Sequence, residues 1–124
     1  MVTDNKKIKS FTDLYAWQEA HKLVLMVYAE TEKFPKREIF GLTVQIRRSV
    51  VSITSNIAEG FNRNASKDKC QFYSMAHGSL TELRNQLLAT RDVGYLSQAI
   101  FNKLADQTVV VAKLINCLRK IRNK

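Results

Sequence analysis

Residues 36–60 read KREIFGLTVQIRRSVVSITSNIAEG, and their apolar side chains recur every three or four positions. This spacing places them on one stripe of a helix, so it predicts an α-helix from about Lys36 to Gly60. The stripe comprises Ile39, Leu42, Ile46, Val50, Ile53 and Ile57. A second apolar group lies about 110° around the helix: Phe40, Val44, Val51 and Ala58. Only a narrow polar sector is left, so we expect this helix to be covered on two sides.

Three further segments show helical periodicity, and short breaks separate all four. The expected limits are Thr12 or Asp13 to Phe34, Lys36 to Gly60, Ser66 to about Asp92, and Ser97 to the basic C-terminus. Gly60 and Gly94 are expected to end their helices in the left-handed conformation. Connections this short predict an all-α fold, an antiparallel up-down-up-down four-helix bundle that forms one domain over residues 1–124.

The other three helices each present a single apolar stripe. The expected core residues are Leu14, Trp17, Ala20, Val24, Val27 and Tyr28; Phe72, Met75, Ala76, Leu80, Leu83 and Leu87; and Ile100, Leu104, Val111, Leu114, Ile115, Leu118 and Ile121. His21 falls within the first stripe, where a histidine is more often part of the core than a ligand. Gly78 in mid-helix predicts close backbone approach. We also expect Arg47 or Arg48 to pair with Glu82 across two helices.

Composition narrows the class of protein. The 124 residues are 45% hydrophobic and 25% charged, with only one Pro and four Gly, which argues against an all-β fold. No apolar run is long enough to span a membrane and Met1 to Lys9 show no signal peptide, so we expect a soluble cytoplasmic protein without membrane partners. Cys70 and Cys117 lack metal-site spacing and are expected to be buried free thiols. We therefore predict no metal and no cofactor.

The two-sided second helix predicts contact between copies of the chain, although a skewed bundle with a central second helix would also cover both faces. Ser52, Asn56 and Glu59 add a polar ridge to that helix, which suits either an interface or a bound ligand. The residues predicted to form a homo-oligomer interface are Phe40, Val44, Arg47, Val51, Ser55, Asn56, Ala58, Glu59 and Glu82.

Three strings carry a resemblance to a known family: EIFGLTVQIRR at 38–48, SITSNIAEG at 52–60 and GSLTEL at 78–83. They resemble the four-helix-bundle proteins encoded within intervening sequences of bacterial 23S ribosomal RNA genes. The likeness runs from Phe11 through Trp17 to the turn Gly94 to Leu96. It implies a ring-like homo-oligomer, with a pentamer expected. By fold this family is distantly similar to the accessory variability proteins of diversity-generating retroelements, which bind nucleic acid and a reverse transcriptase.

Charge points to a polyanionic partner. The 20 Lys and Arg exceed the 11 Asp and Glu by nine, and residues 36–63 and 96–124 hold most of the excess, +3 and +5. The residues predicted to contact nucleic acid are Arg48, Arg63, Lys67, Lys113, Arg119, Lys120, Arg122 and Lys124, the last four in a basic tail at about 119–124. A solvated basic surface is the plainer interpretation of the same charges.

These features favour a non-enzymatic oligomeric scaffold that binds nucleic acid, above all structured RNA, without base-specific readout, since no known base-reading motif is present. The alternative is a protein–protein adaptor, for example an accessory protein of a reverse transcriptase. A helical ribonuclease is disfavoured because His21 and His77 have no nearby arginine at helical spacing. We predict no catalytic residues.

Overall fold

The computed structural model describes residues 7–121, and over that range the chain is helical with no strand. The four α-helices are α1 (Tyr15–Thr31), α2 (Leu42–Asn62), α3 (Ser66–Asp92) and α4 (Gln98–Ile121). Short 3₁₀ turns precede α1 and α2, at Phe11–Asp13 and Lys36–Glu38. The helix α1 packs on α2 and α4, and α3 packs on the same two helices. The prediction of an all-α protein with four helices is therefore confirmed.

Each helix contributes one buried stripe to a shared core. The fully buried side chains include Leu23, Val27, Ile46, Val50, Ile53, Ile57, Leu80, Leu83, Val111 and Ile115. The stripe predicted for α2 is confirmed except for Ile39, which is 55% exposed because α2 has not yet begun there. Tyr28 and Met75 were also predicted in the core and are exposed, while Leu23 and Tyr73 are buried on the neighbouring faces of their helices.

Several helix ends differ from the prediction. Neither Thr12 nor Asp13 caps α1, because its N-cap is Leu14, whose side chain makes no capping hydrogen bond. Ser10 caps the preceding 3₁₀ turn: its Oγ accepts from the Thr12 amide and the Asp13 carboxylate accepts from the Ser10 amide. The helix α2 begins at Leu42 and continues past Gly60 to Asn62. Ala65, not Ser66, is the N-cap of α3. The role of Ser97 is confirmed, since its Oγ accepts from the Ile100 amide at 3.2 Å.

Gly60 and Gly78 have different roles from those expected, whereas Gly94 has the expected one. Gly94 has φ +90° and ends α3 as predicted, but Gly60 is helical and its φ is not positive. A Cβ atom on Gly60 would lie 2.6 Å from Cε1 of Tyr73, so this glycine allows α3 to pack closely on α2. Gly78 has no heavy atom within 4 Å of the same position, so the close approach predicted there is wrong.

The polar ridge of α2 contacts α3 of the same chain. The hydroxyls of Ser52 and Ser79 share a hydrogen bond of 2.8 Å, and the Asn56 amide donates to the carbonyl and hydroxyl oxygens of Ser52. Small side chains at Ser52, Gly60 and Ser79 therefore support the close packing of α2 against α3.

Three further expectations are corrected. Arg47 pairs with Glu32, the residue that follows α1, and among residues 7–121 neither Arg47 nor Arg48 forms an ion pair with Glu82. His21 is exposed and stacks on the Trp17 ring at 4.7 Å, outside the core. Cys117 is exposed because it lies on the outer face of α4; Cys70 is half-buried, and both are free thiols.

Candidate functional site

An apolar surface is exposed along α2 and the turn that leads into it. We call it the α2 surface and define it by Tyr28, Ile39, Phe40, Val44 and Val51, all exposed. Phe40 is the extreme member, at 91% exposed. A shallow groove of about 400 Å³ runs along this surface, between Tyr28, Val44 and Val51. Large apolar side chains gathered in one place on a small protein mark an interaction surface.

Arg47 fixes one edge of the α2 surface to α1. Its Nε donates to Thr31 Oγ1 at 2.9 Å, and an Nη lies 3.0 Å from a carboxylate oxygen of Glu32. The guanidinium also lies over the Tyr28 ring, 4.5 Å from its centroid. Through these contacts Arg47 connects α2 to Tyr28 and Thr31 of α1.

Glu38 holds the turn that presents Phe40. One carboxylate oxygen accepts from the Leu42 amide at 3.3 Å, and the other accepts from the Tyr95 hydroxyl at 2.8 Å. The Tyr95 hydrogen bond, helped by the Leu42 amide, lowers the pKa of the Glu38 carboxyl. A Cβ atom on Gly41 would lie 2.8 Å from the same carboxylate, so the turn closes tightly around it. Phe40 is therefore exposed on a turn that the hydrogen bonds of Glu38 hold in place.

A second groove lies between α3 and α4. We call it the α3–α4 groove; it has a volume of about 260 Å³ and is lined mainly by apolar side chains. Leu87, Leu88, Phe101, Ala105 and Val109 form the apolar part, and Arg84, Asp106 and Thr108 supply polar groups. Leu88, 43% exposed, stands at its surface. No pattern in the sequence predicts this groove, although Leu88 and Val109 lie beside the predicted stripes.

The basic residues predicted on α4 share its C-terminal half. Lys113 and Lys120 are exposed, and their seven-residue spacing puts them on one face. Arg119 is half-buried and donates to Asn116 Oδ1 at 3.2 Å. Burial lowers the pKa of His77, and the positive charges of Arg119 and Arg84 lower it further. The lowered pKa favours the neutral form of His77, so His77 adds no positive charge to this region, whereas Arg84, seven residues later on the same face of α3, does. The expectation that His77 has no arginine near it is therefore wrong, because Arg84 and Arg119 both act on it.

The structure separates the other predicted nucleic-acid contacts. Arg63 is engaged locally, 2.9 Å from a carboxylate oxygen of Glu59 and 4.6 Å above the Phe72 ring. Lys67 is exposed in the first turn of α3. Arg48 is exposed and lines the groove of the α2 surface, so it lies among the interface candidates. Arg122 and Lys124 lie outside the described residues.

The remaining interface candidates occupy different environments. Ser55, Glu59 and Glu82 are exposed, and Ala58 is half-buried. Glu59 is taken up by its ion pair with Arg63, and the Asn56 amide is directed to Ser52 within α2. Phe40, Val44 and Val51 are thus the predicted interface residues that the fold leaves as exposed apolar side chains.

Two further observations concern residues 7–121 as a whole. Their His, Cys, Asp and Glu side chains form no group of three or more that could hold a metal ion. None of their helices is both long enough and apolar enough to cross a membrane.

The fold and these surfaces define a class: a basic all-α protein of four helices with an exposed apolar surface. The chain belongs to the 23S rRNA-intervening sequence protein family, whose model matches residues 12–117. The resemblance seen in the sequence is therefore confirmed. No curated protein matches the chain.

A solved structure shares this fold. It is that of a protein with unknown function from the S23 ribosomal protein family of Bacteroides thetaiotaomicron VPI-5482. The sequences are 17% identical, the match covers 85% of this chain and 95% of that one, and the TM-score is 0.79. At this identity the likeness concerns the fold alone.

Proposed function

We propose that the protein is a non-enzymatic scaffold that assembles into a ring-like homo-oligomer and binds nucleic acid, with structured RNA as the preferred partner. The observation that carries the proposal is the α2 surface, where Phe40, Val44 and Val51 are exposed on ordered backbone. Covering these side chains with a second copy removes apolar area from water, at about 25 cal/mol per Å² before the costs of association.

The proposed protomer is an antiparallel up-down-up-down bundle. Ser52 contacts Ser79 while Gly60, further along α2, contacts Tyr73, earlier in α3. Likewise Phe34 contacts Tyr95 while Gln107, later in α4, donates to the carbonyl of Glu19, earlier in α1. In both pairs, residues later in one helix contact residues earlier in the other, which supports antiparallel packing. The short connections, such as Arg63 to Ala65 between α2 and α3, also favour it.

Positive charge supports the nucleic-acid part of the proposal. Each chain carries a net charge of +9, and a ring of several chains repeats the basic region of α4 in one assembly. Several weak phosphate contacts on one particle act together, so their combined affinity exceeds that of one chain. Such contacts do not distinguish base sequence. The proposed α4 contacts are Lys113, Arg119 and Lys120.

The test is RNA binding at two ionic strengths, with two triple variants of equal charge. One replaces Lys113, Arg119 and Lys120 by glutamine; the control replaces Lys22, Lys33 and Lys103, which are exposed elsewhere. We expect tight binding at low salt that weakens steeply as salt rises. The salt dependence is measured as the slope of the logarithm of the RNA association constant against the logarithm of the salt concentration. In the first variant the magnitude of this slope falls by about 0.7 for each single-strand phosphate that is no longer neutralised. The control keeps the wild-type slope.

Two outcomes contradict the proposal. If neither RNA nor DNA binds at low salt, the scaffold does not act on nucleic acid. If both triple variants lose affinity equally, total charge rather than the α4 region is responsible. An adaptor that uses the α2 surface for another protein would instead leave the chain monomeric and indifferent to nucleic acid.

A further inference from the structure

We propose that Phe40 of one copy inserts into the α3–α4 groove of the next copy, so that the chains join head to tail. This inference rests on the self-assembly proposed above and names the two surfaces that meet. It concerns two separate features of one chain: an exposed aromatic side chain on the turn before α2, and an exposed apolar groove between α3 and α4.

Hydrogen bonds hold the backbone of the turn that carries Phe40. The carboxylate of Glu38 bonds to the Leu42 amide on one side and to the Tyr95 hydroxyl on the other. Tyr95 is itself packed on Phe34, with ring centroids 5.4 Å apart. Because these hydrogen bonds already hold the backbone of the turn, insertion of Phe40 has to order only its side chain, which lowers the entropic cost of using it as an interface anchor.

The α3–α4 groove complements an aromatic side chain in shape and charge. Its volume of about 260 Å³ and its apolar lining suit a ring, and Arg84 stands at its edge with no ion pair among the described residues. Arginines of this chain already lie over aromatic rings, as Arg91 does over Phe101 at 4.6 Å. Arg84 can do the same for an incoming Phe40. Asp106, also at the groove, complements the charge of the basic turn at 36–37 that accompanies Phe40.

The contact joins two different features of the chain, Phe40 and the α3–α4 groove. A two-fold dimer would make this contact twice within one interface, reciprocally, whereas the head-to-tail arrangement proposed here makes it once between each pair of neighbours. Each copy therefore offers one Phe40 and one free groove. Such a contact repeats from copy to copy and closes into a ring when the rotation between neighbours allows it.

A mixing experiment tests this directly. Phe40→Ala removes the inserted ring but keeps the groove, and Leu88→Glu places a charge at the groove but keeps Phe40. We expect each variant alone to bind its own copies about 30-fold or more weakly, as for loss of an interface hot spot, and to be monomeric at micromolar concentration. Mixed in equal amounts, they retain one competent contact per pair and form a heterodimer by light scattering.

Met75→Glu is the matched control. Met75 is on α3 like Leu88 and is similarly exposed at 48%, but it lies roughly 140° away around the helix. We expect this variant to keep the wild-type mass. Circular dichroism checks that all three variants fold, which is expected because each replaced side chain is exposed.

The outcomes separate this inference from the proposed function. A wild-type oligomer that Phe40→Ala leaves intact, a mixture that stays monomeric, or a Met75→Glu variant that dissociates would each overturn the head-to-tail contact and leave self-assembly standing. A monomeric wild type would overturn both. Dissociated Phe40→Ala together with a heterodimer in the mixture supports the contact.

Discussion

At the scale of single residues, Gly60 illustrates how a small side chain controls helix packing. A Cβ atom there would collide with the Tyr73 ring at 2.6 and 2.9 Å and approach Cβ of Phe72 at 3.2 Å. Because Tyr73 is buried, its ring has little room to move away. Gly78 provides the opposite case in α3, since the space beside it is open.

The two glycines give a matched prediction. We expect Gly60→Ala to destabilise the protein by about 1–3 kcal/mol, because overpacking outweighs the better helix propensity of alanine. Gly78→Ala should stabilise it by up to about 1 kcal/mol, because propensity acts alone. Urea unfolding at one fixed chain concentration measures both. A Gly60→Ala protein as stable as Gly78→Ala would contradict the close packing of α2 on α3.

The sequence could reveal part of this residue-scale picture. Ile46, Val50, Ile53 and Ile57 follow a clear period, so their burial was predictable. The role of Gly60 was not predictable, because the sequence does not distinguish a glycine that ends a helix from one that makes room for an aromatic ring of another helix. Only the packing of α3 on α2 shows which role applies. The same holds for Arg47, whose partner Glu32 lies 15 residues away across the turn between α1 and α2.

At the scale of helices, the N-terminus of α2 is held by a carboxylate from outside the helix. Glu38 accepts from the Leu42 amide, where the helix dipole also favours negative charge, and connects α2 to the turn after α3 through Tyr95. Apolar periodicity extends through Ile39, so the sequence predicted a helix that begins too early. The break at Gly41 depends on the hydrogen bonds of Glu38, which periodicity does not report.

The hydrogen bonds of Glu38 predict that the free energy of unfolding depends on pH in the acid range. The pKa of Glu38 is lowered in the folded protein, chiefly by Tyr95, so its contribution to stability is present above the ordinary carboxyl pKa of 4.5. That contribution is lost as the pH falls through the lower, folded pKa. In Glu38→Gln we expect reduced stability at neutral pH and a flatter stability profile below pH 4.5, measured by urea unfolding across pH.

Glu82→Gln is the control for this experiment, since Glu82 is exposed and has no ion pair among residues 7–121. It should retain the wild-type acid profile. If Glu38→Gln shows the same loss of stability on acidification as the wild type, the Glu38 carboxylate does not hold α2 in the way described.

At the scale of the whole molecule, the fold leaves two apolar features exposed while it collects positive charge on α4. The sequence predicted the first feature, because α2 carries more apolar surface than its own bundle can cover. It could not predict the α3–α4 groove, which forms only where Leu88 and Val109 of two distant segments meet. The basic residues were identified individually, but which of them lie together depends on how the helices pack.

The mass of the protein in solution tests the central claim most directly. Light scattering on the wild-type chain at micromolar concentration, beside Phe40→Ala at the same concentration, compares the intact α2 surface with one that has lost its most exposed side chain. We expect a multiple of the single-chain mass for the wild type and the single-chain mass for Phe40→Ala. A wild type that elutes and scatters as one chain would contradict the account.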